Sequence, residues 1–388
     1  MKSEELESLK KKYTVGEEKI EEISKVIYSR LVFEKTPQEN PIAIIVGGQP
    51  GAGKSGLINR TGIELENSVV LDVDDFRYFH PDIEIILREY PNDLATFTIK
   101  FVNDIFKTVF AWLIKDGYNI ISQKTLRDDE VIYDTLEPLS KAGYTIVLRV
   151  LAVSDLESIM STIERSLSVK RTTGYCRWTP VDRQLYAYNG LVTTSAHIYA
   201  SPYCDVVQVF KRNDIPSNSD IVYSEAKEES AEKIALSLKN NPNLNLSDFN
   251  VAGYADEVDA IETVRERTSI ADMDAIRTRL LIAKLAHDDE APKYISELED
   301  MVTARWLKLN DIDGDYMNNN LKLELAKEVL ARKIALRCKD GLNEADTELM
   351  NLLEEEKEMN KFNTFVIDKI INVYGKEVKG DIQKKNGK

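Results

Sequence analysis

The segment that most constrains this chain lies at residues 42–59. Ile42, Ala43, Ile44, Ile45 and Val46 lead directly into Gly47-Gly48-Gln49-Pro50-Gly51-Ala52-Gly53-Lys54-Ser55. A short, largely β-branched apolar run closed by glycine predicts a strand buried on both faces. Gly48-x-x-x-x-Gly53-Lys54-Ser55 has the Walker A spacing. Glycines there allow a tight turn whose N–H groups point inward at phosphate oxygens, and the helix that follows adds its N-terminal dipole. In such a loop Lys54 reaches the β- and γ-phosphates of ATP, and the Ser55 hydroxyl holds Mg²⁺. A helix starting at Lys54 completes the strand–loop–helix context that the motif requires.

Further strands are predicted at residues 69–73, 118–122, 144–151, 206–210 and 221–223, with helical patterns at 97–115 and 130–142 between some of them. Strands alternating with helices imply an open, mainly parallel sheet of P-loop NTPase type with helices on both faces, which binds ligands at the carboxyl ends of its strands. At the end of the second predicted strand stands Asp72-Val73-Asp74-Asp75-Phe76-Arg77. Residues two apart in a strand share a face, so Asp72 and Asp74 are expected to serve one site. There one carboxylate can orient the metal and another can accept a hydroxyl proton.

Before this core, residues 3–34 carry Ile20, Ile23, Val26, Ile27 and Leu31 at helical spacing, closed by Pro37 and Pro41. After residue 224 the strand signals stop. A charged helical pattern occupies 226–240, and helical texture fills 258–374. The expected organisation is an N-terminal helical segment at 1–40, a P-loop domain at 41–225 and an all-α C-terminal domain at 226–388. With 66 acidic against 51 basic residues, the net charge is -15. Such a chain repels nucleic-acid backbones and anionic membranes, so neither is an expected partner. The N-terminus has no signal-peptide core, and Cys176, Cys204 and Cys338 fit neither a disulfide framework nor a zinc site. A cytoplasmic protein is expected.

The Walker loop, the stretch from Asp72 to Arg77 with His80-Pro81, Thr125-Leu126-Arg127, Thr162-Ile163-Glu164-Arg165 and Arg177-Trp178-Thr179-Pro180 occur in this order. Together they resemble the zeta-toxin kinases of bacterial toxin–antitoxin systems, over residues 41–213. The resemblance implies an ATP/Mg²⁺-dependent kinase whose acceptor is the 3′-hydroxyl of a sugar nucleotide, UDP-N-acetylglucosamine. It makes Asp74 the general base, puts Lys54 and Ser55 on triphosphate and Mg²⁺, and gives Arg165 and Arg177 the transferring phosphoryl group. Asp72, Asp74, Arg77, Gln123, Thr125 and Arg127 become the acceptor-contacting set. One departure stands out: the family carries Glu-Gly where this chain has Gln123-Lys124. A glutamine keeps the shape of glutamate and loses its charge. A different acceptor, such as NAD, and a nucleotide-binding module without transfer both fit that change. The resemblance also implies an antitoxin partner, and the long helical C-terminal region is a candidate for intramolecular inhibition.

Other signals are weaker. Asp311-Ile312-Asp313-Gly314-Asp315 lacks the glycine and glutamate of a calcium loop, since Tyr316 and Lys322 stand in those places. His80, His197 and His287 show no metal spacing, and His80 is expected to be structural. Tyr186, Tyr188, Tyr199 and Tyr203 are expected in the core rather than on a base or sugar. The run at 354–358 reads as a solvated helix face.

Overall fold

The computed structural model describes residues 3–90, 93–173, 179–212, 219–266, 269–285 and 292–309. Arg177, Cys176, Cys338, the calcium-like stretch at 311–315, the acidic run at 354–358 and the helical pattern beyond 309 lie outside the described residues.

The chain divides into two compact units, one of residues 1–162 and 168–267, the other of residues 163–167 and 268–388. The first opens with α1 (Ser3–Lys12) and α2 (Glu17–Leu31). The N-terminal pattern is therefore two helices, parted at Gly16, the N-cap of α2. Ile20 and Ile27 are buried, whereas Val26 is 45% exposed and lies off the buried stripe. Next come β1 (Ile42–Gly47), α3 (Lys54–Glu64), β2 (Ser68–Leu71), α4 (Ile83–Glu89), α5 (Leu94–Asp116), β3 (Asn119–Lys124), α6 (Glu137–Lys141), β4 (Thr145–Ala152), α7 (Asp155–Thr173), α8 (Val181–Ala200), β5 (Val206–Arg212) and β6 (Ser219–Ala226). Then α9 (Ala231–Leu238), β7 (Phe249–Asn250) and α10 (Glu257–Glu266) complete the unit.

The strands form one sheet in the order β2-β3-β1-β4-β5-β6-β7. The first five run parallel, while β6 and β7 add antiparallel pairings at one edge. All of β1 and β4 is buried, as an apolar run covered on both faces requires. On one face Ala43, Ile45, Ile120 and Leu148 pack with Val102, Ile105 and Val109 of α5 and Leu191 of α8. On the other, Ile42, Ile44, Val46 and Ile121 pack with Leu57 and Ile58 of α3. The mainly parallel sheet with helices on both faces matches the sequence reading. The strand β7 was not foreseen, and residues 226–266 contribute it, α9 and α10 to this same unit.

Arg149 interrupts the apolar run of β4, and no part of it is exposed. Its guanidinium donates to Gln208 Oε1 at 2.9 Å, Thr61 Oγ1 at 2.8 Å and Glu64 Oε2 at 2.6 Å. A buried charge persists only when paired and hydrogen-bonded. Here the pairing anchors the far end of the Walker helix α3 to the central strands.

In the second unit, α11 (Ile270–Leu285) and α12 (Pro292–Leu309) are helical, as the texture predicts. They pack through Met273, Ile276, Leu280, Ile295, Leu298 and Val302, all buried.

Candidate active site

The loop at 48–55 follows β1, the middle one of the five parallel strands, with β3 on one side and β4 on the other. Gly51 and Gly53 take φ of +80° and +100°, a region that L side chains rarely adopt. A Cβ at Gly51 would sit 1.9 Å from the Ser158 carbonyl oxygen and 2.5 Å from Thr162 Oγ1. Three contacts fix the loop from outside. The Gly48 amide donates to the Lys124 carbonyl at 3.3 Å, the Gln49 side-chain amide to the Val153 carbonyl at 2.7 Å, and Arg212 Nη1 to the Gly51 carbonyl at 3.2 Å. Lys54 Nζ folds back over the loop to the Gly48 and Gln49 carbonyls, at 2.6 and 3.2 Å. Among the described residues the Gly51 and Gly53 amides have no protein acceptor. Gln49 Oε1 is buried without a partner. A cradle with open amide donors, an adjacent ammonium and the start of α3 fits a polyphosphate.

The acidic turn differs from the sequence expectation. The strand β2 stops at Leu71, so Asp72 and Asp74 do not share a strand face. The cause is local: the Asp72 carboxylate accepts from the Asp74 amide at 3.0 Å, and short acidic side chains that bond the backbone in this way compete with the strand ladder. Asp74 has helical angles and begins the 3-10 turn at 75–79. Its Oδ1 accepts from Arg77 Nε and Nη2, both at 3.0 Å. Arg77 is 6% exposed, and its Nη1 donates to Thr98 Oγ1 on α5 at 2.7 Å. Arg77 thus sits beneath the turn and fixes the orientation of the Asp74 carboxylate, which is 60% exposed. Partial burial, with Asp72 and Asp74 adding to it, raises the Asp75 carboxyl above its ordinary range.

Register brings the turn and the loop together. Leu71 pairs with Ser122 and Gly47 with Lys124, so β3 lies between the chain leaving β2 and the chain entering the Walker loop. Gln123 and Lys124 close β3. Leu126, which follows, takes φ of +51°, a strained value for leucine, and covers Gly47 so closely that a Cβ there would meet Leu126 Cδ1 at 2.1 Å. Thr125 is half-buried in this turn. Arg127 is exposed and pairs with Asp128 at 2.9 Å. Arg165 is exposed on α7, within the residues grouped with the second unit, where its neighbour Glu164 pairs with Arg279 at 2.7 Å.

One further residue at the site escaped the sequence reading. Arg212, at the end of β5, contacts Gly51, Ser161 Oγ at 2.9 Å and Glu157 at 3.3 Å. Its signal, one arginine closing an apolar strand, is too common to single out. His80 is structural, as expected: Nε2 donates to the Tyr13 carbonyl at 3.0 Å, and Nδ1 accepts the Asp82 amide at 3.1 Å. Tyr199 and Tyr203 pack on the core, Tyr188 lies under Arg265, and Tyr186 is exposed, against expectation. Burial pushes the Cys204 thiol up to about 12. Among the described residues no cluster of three or more His, Cys, Asp or Glu could hold a metal by itself, and no helix is long and apolar enough to cross a membrane.

The Zeta toxin family model matches residues 29–222, half of the chain. Toxin zeta of Enterococcus hirae is 32% identical over 136 residues, covering 35% of this chain and 48% of that protein. Toxin PezT of Streptococcus pneumoniae serotype 4 is 28% identical over 181 residues, covering 46% of this chain and 72% of that protein. The chain therefore spans about half the length of Toxin zeta. A solved structure from the PezAT chromosomal toxin–antitoxin system of S. pneumoniae aligns with a TM-score of 0.54 at 20% identity, over 74% of this chain and 98% of that one, and shares the fold. By its family match, its ordered motifs and its sheet, the chain belongs to the zeta toxin family.

Proposed function

We propose that the protein is a kinase that transfers the γ-phosphoryl group of ATP to a hydroxyl of a sugar nucleotide, with UDP-N-acetylglucosamine as the first acceptor to test. One observation carries the reading. A Walker loop with open amides lies one strand away from an aspartate whose carboxylate a buried arginine holds in place.

The residues divide the work by position. The amides of Gly51 and Gly53 and the Lys54 ammonium bind the triphosphate. Gln49, Pro50 and Ala52 complete the loop between these contacts. The Ser55 hydroxyl, with a carboxylate of the 72–75 turn acting through water, would hold Mg²⁺. When bound, the ion neutralises charge shared by the β- and γ-oxygens. Asp74 accepts the acceptor hydroxyl's proton as that oxygen bonds to the γ-phosphorus and the bond to ADP breaks. Lys54 steadies the charge that shifts to the leaving oxygens, while Arg165 and Arg177 have their roles by resemblance to the family. Gln123, Thr125 and Arg127 face the acceptor, together with Asp72. Arg77 acts through Asp74 and not on the acceptor.

An antitoxin partner, and restraint by the helical region after 267, belong to the same proposal. A second reading, nucleotide binding without transfer, draws on Gln123, which has no carboxylate to offer. Incubating the full chain with ATP, Mg²⁺ and UDP-N-acetylglucosamine, NAD or other nucleotides, followed by mass spectrometry, separates the two. Gain of one phosphate on an acceptor supports the kinase. Saturable ATP binding with no phosphate gain on any acceptor supports the second reading.

A further inference from the structure

Lys124 has an unusual setting for a lysine. It is the last residue of β3, and its carbonyl holds the first amide of the Walker loop. Its side chain turns to the α5 face of the sheet, where Nζ stands 4.2 Å from the centre of the Phe106 ring. Among the described residues the ammonium has no hydrogen bond and no ion pair; Asp134 acts on it only through space. A half-buried cation against an aromatic face is held by the ring's negative surface, and its N–H donors have no protein acceptor among the described residues. Burial depresses its pKa to about 8, so the fold disfavours the charged amine relative to water. An anion placed against it would remove that penalty.

The position of Lys124 indicates what such an anion belongs to. Arg77, which orients Asp74, bonds to Thr98 of α5, and Phe106 lies two turns further along the same helix. Those two points are about 12 Å apart along the helix axis. One molecule of sugar-nucleotide size can span from Asp74 to Lys124. We propose that Lys124 is a specificity residue of the acceptor site, its ammonium receiving an anionic group of the molecule being phosphorylated. This rests on the kinase reading above. The shared chemistry is a phosphate or carboxylate oxygen, supplied by the acceptor's diphosphate or by an acidic sugar.

The test is protection of the amine in the full-length protein. Acetylation of Lys124 by acetic anhydride is followed by peptide mass spectrometry, with exposed Lys19 as the reference. Uridine, UDP-glucose, UDP-glucuronate and a non-hydrolysable ATP analogue are each added at saturation. Slowing of at least tenfold by both UDP-sugars but not by uridine identifies the diphosphate as the anion; slowing by UDP-glucuronate alone identifies the carboxylate. Either result supports the proposal. Equal labelling with all ligands, protection by uridine, or equal protection by the ATP analogue alone overturns it. In transfer assays Lys124→Met should raise the acceptor KM at least tenfold and leave the ATP KM within twofold. The two readings fail separately: protection without transfer to any acceptor refutes the kinase, and transfer with Lys124 unprotected refutes the anion site.

Discussion

Consider replacing Gly51 by alanine. The residue sits at φ +80°, and the added carbon would fall 1.9 Å from the Ser158 carbonyl, a backbone atom of α7 that cannot rotate away. Left-handed backbone at a residue with a Cβ costs roughly 1–2 kcal/mol. Forcing a methyl group into a packed site adds about 1–3 kcal/mol. The sum is roughly 2–5 kcal/mol, to be relieved by lifting the loop from α7 or by opening the domain. Gly62 is the control. It lies within α3, and a Cβ there meets nothing within 4 Å. Alanine at Gly62 should stabilise by about 0.5–1 kcal/mol through helix propensity and lower unfolded-state entropy. Urea unfolding of both variants, with titration of a fluorescent ATP analogue, reads both effects. If 1.4 kcal/mol of the Gly51→Ala strain appears in the nucleotide-bound loop, the Kd rises about tenfold. If Gly51→Ala unfolds and binds like the parent, the loop is not held against α7 as described.

Three other expectations follow from the packing. Arg149→Met takes from Glu64 its buried partner, leaving it the Arg60 contact at 3.1 Å, and removes hydrogen bonds from Thr61 and Gln208; loss of about 3 kcal/mol is expected in urea unfolding, with Glu64→Gln less than additive in the double variant. Lys124 has its folded pKa lowered from 10.5 to about 8, so between those values the unfolded chain binds more protons and stability rises with pH. Lys124→Met should therefore raise Tm at pH 7, with the gain shrinking from pH 8 to 10 in a thermal scan. Arg212→Ala removes the donor to Gly51 O and Ser161 Oγ; a several-fold weaker Kd for ATP by calorimetry is expected, with the fold intact by circular dichroism.

What the sequence reveals depends on the range of the interactions. The β1–loop–α3 unit is legible because its signals are local: an apolar run, glycines at set spacing, and a lysine at the helix start. The parallel strands are legible as apolar runs. The geometry of Asp72 and Asp74 was misread because strand alternation was carried past Leu71, where the Asp72 carboxylate binds the chain's own amide and ends the ladder. Arg149 passed as one residue in a strand because Thr61, Glu64 and Gln208 are distant in sequence. The same distance hides Arg212 from Gly51, and Tyr13 from His80. The two-residue β7 has no periodicity to detect.

The central claim is that the Walker loop holds ATP while Asp74 takes a proton from an acceptor. The most direct measurement compares full-length protein with Asp74→Asn, reading ATP affinity by calorimetry and phosphate transfer to UDP-N-acetylglucosamine by mass spectrometry. The account predicts an ATP Kd within about threefold of the parent and transfer slowed by about 10²–10⁴, the usual contribution of a positioned base. Undiminished transfer by Asp74→Asn, or no ATP binding by the parent, would contradict it.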